Sequence, residues 1–290
     1  MAKAENATNS VETPTEINVA FTSKAQLDEW TRLNKWAFSV EKIDAAVAYL
    51  KTHGAHSDCL STERRQSVIL RSKNHRESLI VGNLNSRQRP VLELVQSTTS
   101  QNLATRTRIH LHESVTPFAL RIKGSYPYTL ASEYLPDQES LKKKFPNPHV
   151  DICDSRLPDE SFDLIVSQEV LEHVPNIDKA FVDMERILRS NGCLIASFPF
   201  RQNSLSSLKK AMIGSDGSLH HLMEPECHGN PVDPDGGSLV FEVPGWDVLD
   251  RLRNSGFETA AIHLVGSRTR GILSSNMFGV LVAVAKKRAT

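Results

Sequence analysis

FDLIVSQEVLEHVPNIDKAFVDMERILRSNGCLIASFPF, residues 162–200, decides the fold. Its opening FDLIV is the apolar run of a strand buried on both faces. Ser167, Gln168 and Glu169 reach the carboxyl end of that strand, and VLEHVPN leads into a helix over Ile177 to Leu188. Asn176 caps the helix, Asp178 sits in its first turn, and Ile177, Ala180, Phe181, Met184, Ile187 and Leu188 share one face. Arg186 and Arg189 suit its carboxyl end, and Gly192 lies just beyond it. GCLIASFPF is then a second buried strand. Strand, helix and strand in this order make a βαβ unit with parallel strands.

The same alternation extends in both directions. Upstream stand a helix around 90–98, a strand at RIHLHES (108–114), a helix from Pro117, a strand at TLASEYL (129–135) and a short strand at PHVDIC (148–153). Downstream, after a long irregular insertion at about 201–240, come a helix near Trp246–Arg253 and two apolar strands, TAAIHLV and FGVLVAVA, read as an antiparallel pair at a sheet edge. Residues 1–22 lack apolar periodicity and are expected to be a flexible tail. Residues 23–89 are expected to form a helical and irregular cap, with two helices between Lys24 and Thr52 that break near Ser39 and stop at Gly54, then short strands at SVIL and SLIV. Residues 90–290 form the α/β domain.

Composition narrows the partners. Of 290 residues, 39% are apolar and 23% charged, as in an ordinary globular chain. Lys plus Arg and Asp plus Glu both total 34, so the balance gives no general attraction to nucleic acid or to an anionic membrane. A small-molecule partner is expected. Cys59, Cys153, Cys193 and Cys227 form no CxxC pair, which suits a reducing cytoplasm. The N-terminus has no apolar signal core, and no run approaches the roughly 18 apolar residues of a membrane span. A cytoplasmic location is expected.

The segment LPDESFDLIVSQEVLEHVPNIDKAFVDMERILRSNGCLIASFPF (157–200) resembles the corresponding segments of class I S-adenosylmethionine (SAM)-dependent methyltransferases. The resemblance implies a Rossmann-like sheet of seven mostly parallel strands, the last antiparallel. It also implies SAM as cofactor and methyl transfer to an O, N or C atom of a small-molecule or glycan-like acceptor. The glycine-rich first motif of that family is missing, because RIHLHESVTPFALRI (108–122) contains no glycine. The chain is similar instead to a divergent, methyltransferase type 11-like subgroup. That subgroup has an acidic residue followed by Ser/Thr-Pro (here Glu113 to Pro117), an SEYL-like strand end (132–135) and a PEYHGDP-like segment, here PECHGNP at 225–231.

On that resemblance Glu113 and Ser114 form the first wall of the cofactor site. Glu133, followed by Tyr134, takes the ribose hydroxyls. Asp151 takes the adenine amino group while Ile152 packs on the ring, and Ser167 and Gln168 line the next strand end. The physics is compatible, since a carboxylate at the first strand end offsets the sulfonium and ammonium charges without a glycine cradle. His173 and His228 are the candidate catalytic residues, His173 beside the expected methyl position and His228 reaching over it from the insertion. The Glu-His pair of LEHVP braces its loop or takes a proton, and both readings stay open.

No metal site is assigned. His220, His221, Cys227 and His228 match no structural zinc spacing, and His110 and His112 share a strand face without a third ligand. RESLIVGNLNSRQRPVLELV (76–95) resembles a region that in some similar methyltransferases follows a cysteine-bearing zinc-ribbon-like element; only Cys59 is available for one here, so the resemblance implies a lost metal and a segment kept as a substrate-shaping cap. Arg87 and Arg89 hold an anionic acceptor or, the stronger default, act as a surface group or helix brace. The missing glycine loop also keeps open an alternative: a catalytically inactive methyltransferase fold retained as a binding or partner module. A dinucleotide oxidoreductase is set aside because no GxGxxG follows a strand.

Overall fold

The computed structural model describes residues 14–56, 65–99, 105–135 and 137–289. Residues 1–13 and Cys59 lie outside them. Seven strands build one sheet: β1 (Glu16–Phe21), β2 (Arg108–Leu111), β3 (Tyr128–Ala131), β4 (Phe162–Gln168), β5 (Leu188–Ser197), β6 (Phe257–Ser267) and β7 (Val280–Lys287). Their order across the sheet is β1-β6-β7-β5-β4-β2-β3. The pairs β3·β2, β2·β4 and β4·β5 are parallel, while β5·β7, β7·β6 and β6·β1 are antiparallel. β7 and β1 therefore run against the other five, and the sheet is of the Rossmann-like, mostly parallel kind expected from the βαβ pattern.

The principal helices are α1 (Lys24–Leu33), α2 (Val40–His53), α3 (Gln88–Thr98), α4 (Pro117–Ser125), α5 (Ile177–Ile187) and α6 (Val248–Asn254). Period-two alternation sends successive strand residues to opposite faces. Ile165, Leu194 and Ala283 face a core shared with α1, α2, α5 and α6, whereas Leu164, Val166, Ile195 and Val282 face a second core shared with α3 and α4. Leu27, Ile43 and Leu50 of the N-terminal region thus lie in one continuous core with Phe181 and Leu249. α5 is built as its sequence dictates: the Asn176 side chain accepts from the Lys179 N–H at 3.1 Å, and all the expected apolar positions are buried. α2 ends at Gly54, whose φ of +69° is a left-handed value, and a Cβ there would stand 2.6 Å from the Gln66 carbonyl oxygen.

Five expectations are corrected. Glu16–Phe21 is not tail; it pairs antiparallel with β6 along six residues, because Ile17 and Phe21 alternate inward and bury 94% and 98% of their surface. The β6·β7 hairpin is consequently not the sheet edge. PHVDIC forms no strand, only an isolated bridge between Glu133 and His149. β5 starts directly after α5, so Gly192 lies inside a strand, at the irregularity between Leu188 and Cys193. The insertion is not irregular but holds three short antiparallel pairs, Leu208–Lys209 with Glu242–Val243, Ala211–Ile213 with Leu219–His221, and Cys227–Asn230 with Asp233–Leu239. Among the described residues no helix is long and apolar enough to cross a membrane.

Because Phe21 is an anchor of the edge strand, Phe21→Ala is expected to cost about 3–5 kcal/mol. A urea unfolding midpoint reads this directly, and an unchanged midpoint would return the segment to the status of a tail.

Candidate functional site

The carboxyl ends of β2, β3 and β4 converge, as parallel strands of an open sheet must. They bring four of the expected cofactor residues into one hydrogen-bonded group. The Ser114 N–H and Oγ donate to Glu133 Oε1 at 2.7 and 3.1 Å, and Gln168 Nε2 donates to Glu113 Oε1 at 2.8 Å. Thr116, the N-cap of α4, donates its hydroxyl to the other Glu113 oxygen. Burial pushes the Glu113 carboxyl above its ordinary range, against the pull of Thr116, Arg87 and Gln168. Glu113 therefore braces the turn from β2 into α4, a part its sequence position did not reveal.

Behind this group the Ser167 hydroxyl and Gln168 Oε1 are buried without a hydrogen-bond partner among the described residues. Glu133 is half-buried; its backbone N–H donates to Pro148 O and its carbonyl accepts from Val150 N–H, which carries the chain across to Asp151. Asp151 Oδ1 accepts the Cys153 N–H at 2.8 Å, and Ile152 packs on the first core. Tyr134 is exposed beside the His149 ring, with centroids 5.6 Å apart. These side chains fit SAM chemically: carboxylates accept from its hydroxyl and ammonium donors, and an apolar side chain suits the adenine face. Glu133 Oε1 already takes two bonds, but a carboxylate offers about four acceptor positions.

Sequence reasoning placed Glu169 at the end of β4 but gave it no role. Glu169 adopts φ +52°, a left-handed conformation rare outside glycine, which persists only where surroundings fix it. Here Arg76 grips both carboxylate oxygens at 2.7 and 3.1 Å, and the Ser197 hydroxyl donates at 3.1 Å. Burial alone would raise the Glu169 carboxyl, but Arg87 and Arg76 outweigh it and hold it below its ordinary range. Arg76 also borders a cleft of about 660 Å³ lined by Phe198, Phe200, Asn203, Asn276 and Met277. Phe198, Phe200 and Trp246 form an edge-to-face series beside it. Arg87 donates to Glu77, whereas Arg89 is buried and donates to the backbone carbonyls of His56, Val81 and Arg270, which makes Arg89 a brace and removes it as an anion receptor.

The two candidate catalytic histidines do meet. His173 and His228 lie edge to face with centroids 5.2 Å apart. His173 Nδ1 donates to Leu239 O at 2.8 Å, and His228 Nε2 stands 3.0 Å from Glu226 Oε1. Their remaining nitrogens both face Glu172, which is fully buried in the single turn Leu171–His173. The Glu172 carboxylate, together with Glu226, pushes the half-exposed His228 imidazole up to about 9 against its desolvation. His220 and His221 sit exposed on a separate hairpin, and Cys227 is exposed.

Residues 129–196 match the family model described as a methyltransferase domain. No curated protein matches the chain. Among solved structures the chain is similar to a SAM-dependent methyltransferase from Mesorhizobium loti (15% identity, 68% of this chain and 97% of that one, TM-score 0.41). It is also similar to the 1,6-didemethyltoxoflavin-N1-methyltransferase of Burkholderia thailandensis (13% identity, 69% and 78%, TM-score 0.38) and to the [4+2]-cyclase SpnF (14% identity, 96% and 100%, TM-score 0.43). The chain thus carries a segment, running from β3 to β5, that matches a methyltransferase domain.

β2 gives this domain an acid-sensitive base. His110 and His112 are buried and edge to face at 4.5 Å; His110 meets Ser132 Oγ at 3.0 Å, and neither His112 nitrogen has a hydrogen-bond partner among the described residues. Burial lowers His110 to about 4, and His112 is lowered as well. The folded state thus binds fewer protons than the unfolded one between pH 6.5 and about 4. Stability is complete above that window and falls as pH drops through it, by about 3 kcal/mol for His110. Urea unfolding at successive pH values is expected to show a shallower acid slope for His110→Gln than for the native chain; identical slopes would refute the assignment.

Proposed function

We propose that this protein transfers the SAM methyl group to a small-molecule acceptor, with the cofactor at the ends of β2, β3 and β4 and the acceptor in the cleft beside Arg76 and Phe200. The observation that carries this is the convergence of Glu113, Ser114, Glu133 and Gln168 on one hydrogen-bonded surface. SAM supplies an electrophilic methyl on a sulfonium, so the chain's task is to bind, orient and exclude water.

In this reading Glu133 accepts the ribose hydroxyls, and Asp151 with Ile152 receives the adenine. Glu113 and Ser114 wall the amino-acid end. Ser167 and Gln168 offer buried polar atoms to the same space, and Tyr134 flanks it. The cleft suits a small acceptor in size, since such pockets run from about 300 to 1,000 Å³. Its lining joins aromatic faces to a guanidinium and amides, which suits a ring-bearing acceptor with polar substituents. His173 and His228 act on the acceptor side, with ring positions set by Leu239 and Glu226.

A second reading, a methyltransferase fold kept as a binding module, draws on the same bonds: Ser114 to Glu133 and Gln168 to Glu113 close the wall on itself without a glycine loop. Calorimetry with SAM and S-adenosylhomocysteine, followed by methyl-transfer assays on candidate acceptors, separates the two. Binding with turnover is expected, and Glu133→Ala and Asp151→Ala should each weaken binding roughly 10- to 100-fold, the worth of a hydrogen bond to a charged group. Absence of binding at millimolar cofactor, or unchanged affinity in both variants, would overturn the site assignment.

A further inference from the structure

Glu172 is the most deeply buried carboxylate among the described residues, and neither of its oxygens accepts a hydrogen bond from any of them. A buried acceptor-only group without a donor is costly, so its neighbours must explain it. Those neighbours are His173 Nε2 and His228 Nδ1, 3.6 and 3.7 Å from Glu172 Oε1.

The outer contacts set the tautomers. Leu239 O is a carbonyl and only accepts, so the proton of a neutral His173 ring sits on Nδ1. Glu226 is a carboxylate and only accepts, so the proton of a neutral His228 ring sits on Nε2. In the neutral rings the lone pairs of His173 Nε2 and His228 Nδ1 are thus turned toward the Glu172 carboxylate. Two imidazole nitrogens and a carboxylate oxygen face one another, all within 4.8 Å. Ligand atoms about 2.0–2.1 Å from a tetrahedral ion stand about 3.4 Å apart, close to the 3.6 and 3.7 Å between Glu172 Oε1 and the two ring nitrogens. Each ring also has the backbone carbonyl or carboxylate acceptor that typically orients a metal-bound histidine.

We propose that Glu172, His173 and His228 bind one divalent first-row transition-metal ion, Zn²⁺ being the representative of the class. The ligands come from the turn after β4 and from the hairpin Cys227–Asn230, so the ion pins the insertion to the carboxyl edge of the sheet. Three protein ligands leave a position open for water or for an acceptor oxygen. No property of the cofactor wall enters this inference.

The test is calorimetric titration of the tag-free, chelator-stripped full chain with Zn²⁺ and Co²⁺ in the absence of cofactor, with elemental analysis of the dialysed product. One ion per chain at about micromolar affinity or tighter is expected, with visible Co²⁺ bands of nitrogen ligation. His173→Ala and His228→Ala should each weaken binding at least tenfold, and Glu226→Ala, which only orients a ring, roughly tenfold. Should His173→Ala fail to fold, His228→Ala and Glu226→Ala, both on the half-exposed hairpin, carry the test. No saturable binding by the native chain would overturn the proposal and leave a His228 imidazolium as the partner of Glu172. Affinity unchanged in the His228→Ala variant would also overturn it, by placing the ion elsewhere. SAM affinity is measured separately, so failure of either reading is seen without the other.

Discussion

Two carboxylates, Glu169 and Glu172, leave the end of β4 for the interior, and each requires a partner from another part of the chain. Glu169 receives the Arg76 guanidinium from the N-terminal region. Glu172 receives His173 from its own turn and His228 from the insertion. Removing one partner of a buried pair leaves an uncompensated group, typically at a cost of several kcal/mol. The same short segment therefore fixes where both appended regions sit relative to the sheet. The left-handed backbone at Glu169 belongs to this constraint, because its side chain reaches Arg76 and Ser197 from that conformation.

The proposed cofactor wall is organised by the same need to satisfy buried polar groups. A glycine-rich turn exposes backbone donors to a ligand; here the turn from β2 into α4 carries Glu113 and Ser114 instead. Their side chains bond to Gln168 and Glu133 across three strand ends. The proposed wall thus offers acceptors for hydroxyl and ammonium donors, each held by a neighbouring side chain. His110 on β2 and His112 directly after it are buried bases, which makes the stability of this strand end depend on pH.

Much of the framework was legible because its signals are local. Asn176, Asp178 and the apolar face of α5 sit within a few turns of one another, and the buried runs of β4 and β5 need no distant partner to be read as strands. Of the candidate site, only strand-end positions were legible: Ser114 bonds Glu133, and Gln168 bonds Glu113. Arg76 was not legible, since it acts across 93 positions of sequence. Glu172 looked like a loop residue, and only its complete burial reveals what it demands. Arg89 carried the same composition signal as a ligand-binding arginine and proved to hold three backbone carbonyls together.

The sequence by itself determined the βαβ order, the capped helix α5 and the class of sheet, because hydrophobic periodicity and end-capping act within one element and its neighbours. Only the tertiary structure decided that Glu16–Phe21 closes the sheet edge, that PHVDIC does not form a strand, and that the insertion folds as hairpins. It also decided that His228, and not His220, His221 or Cys227, joins Glu172 and His173. These outcomes depend on which distant segments bury one another's polar and apolar groups, and spacing along the chain carries no record of that.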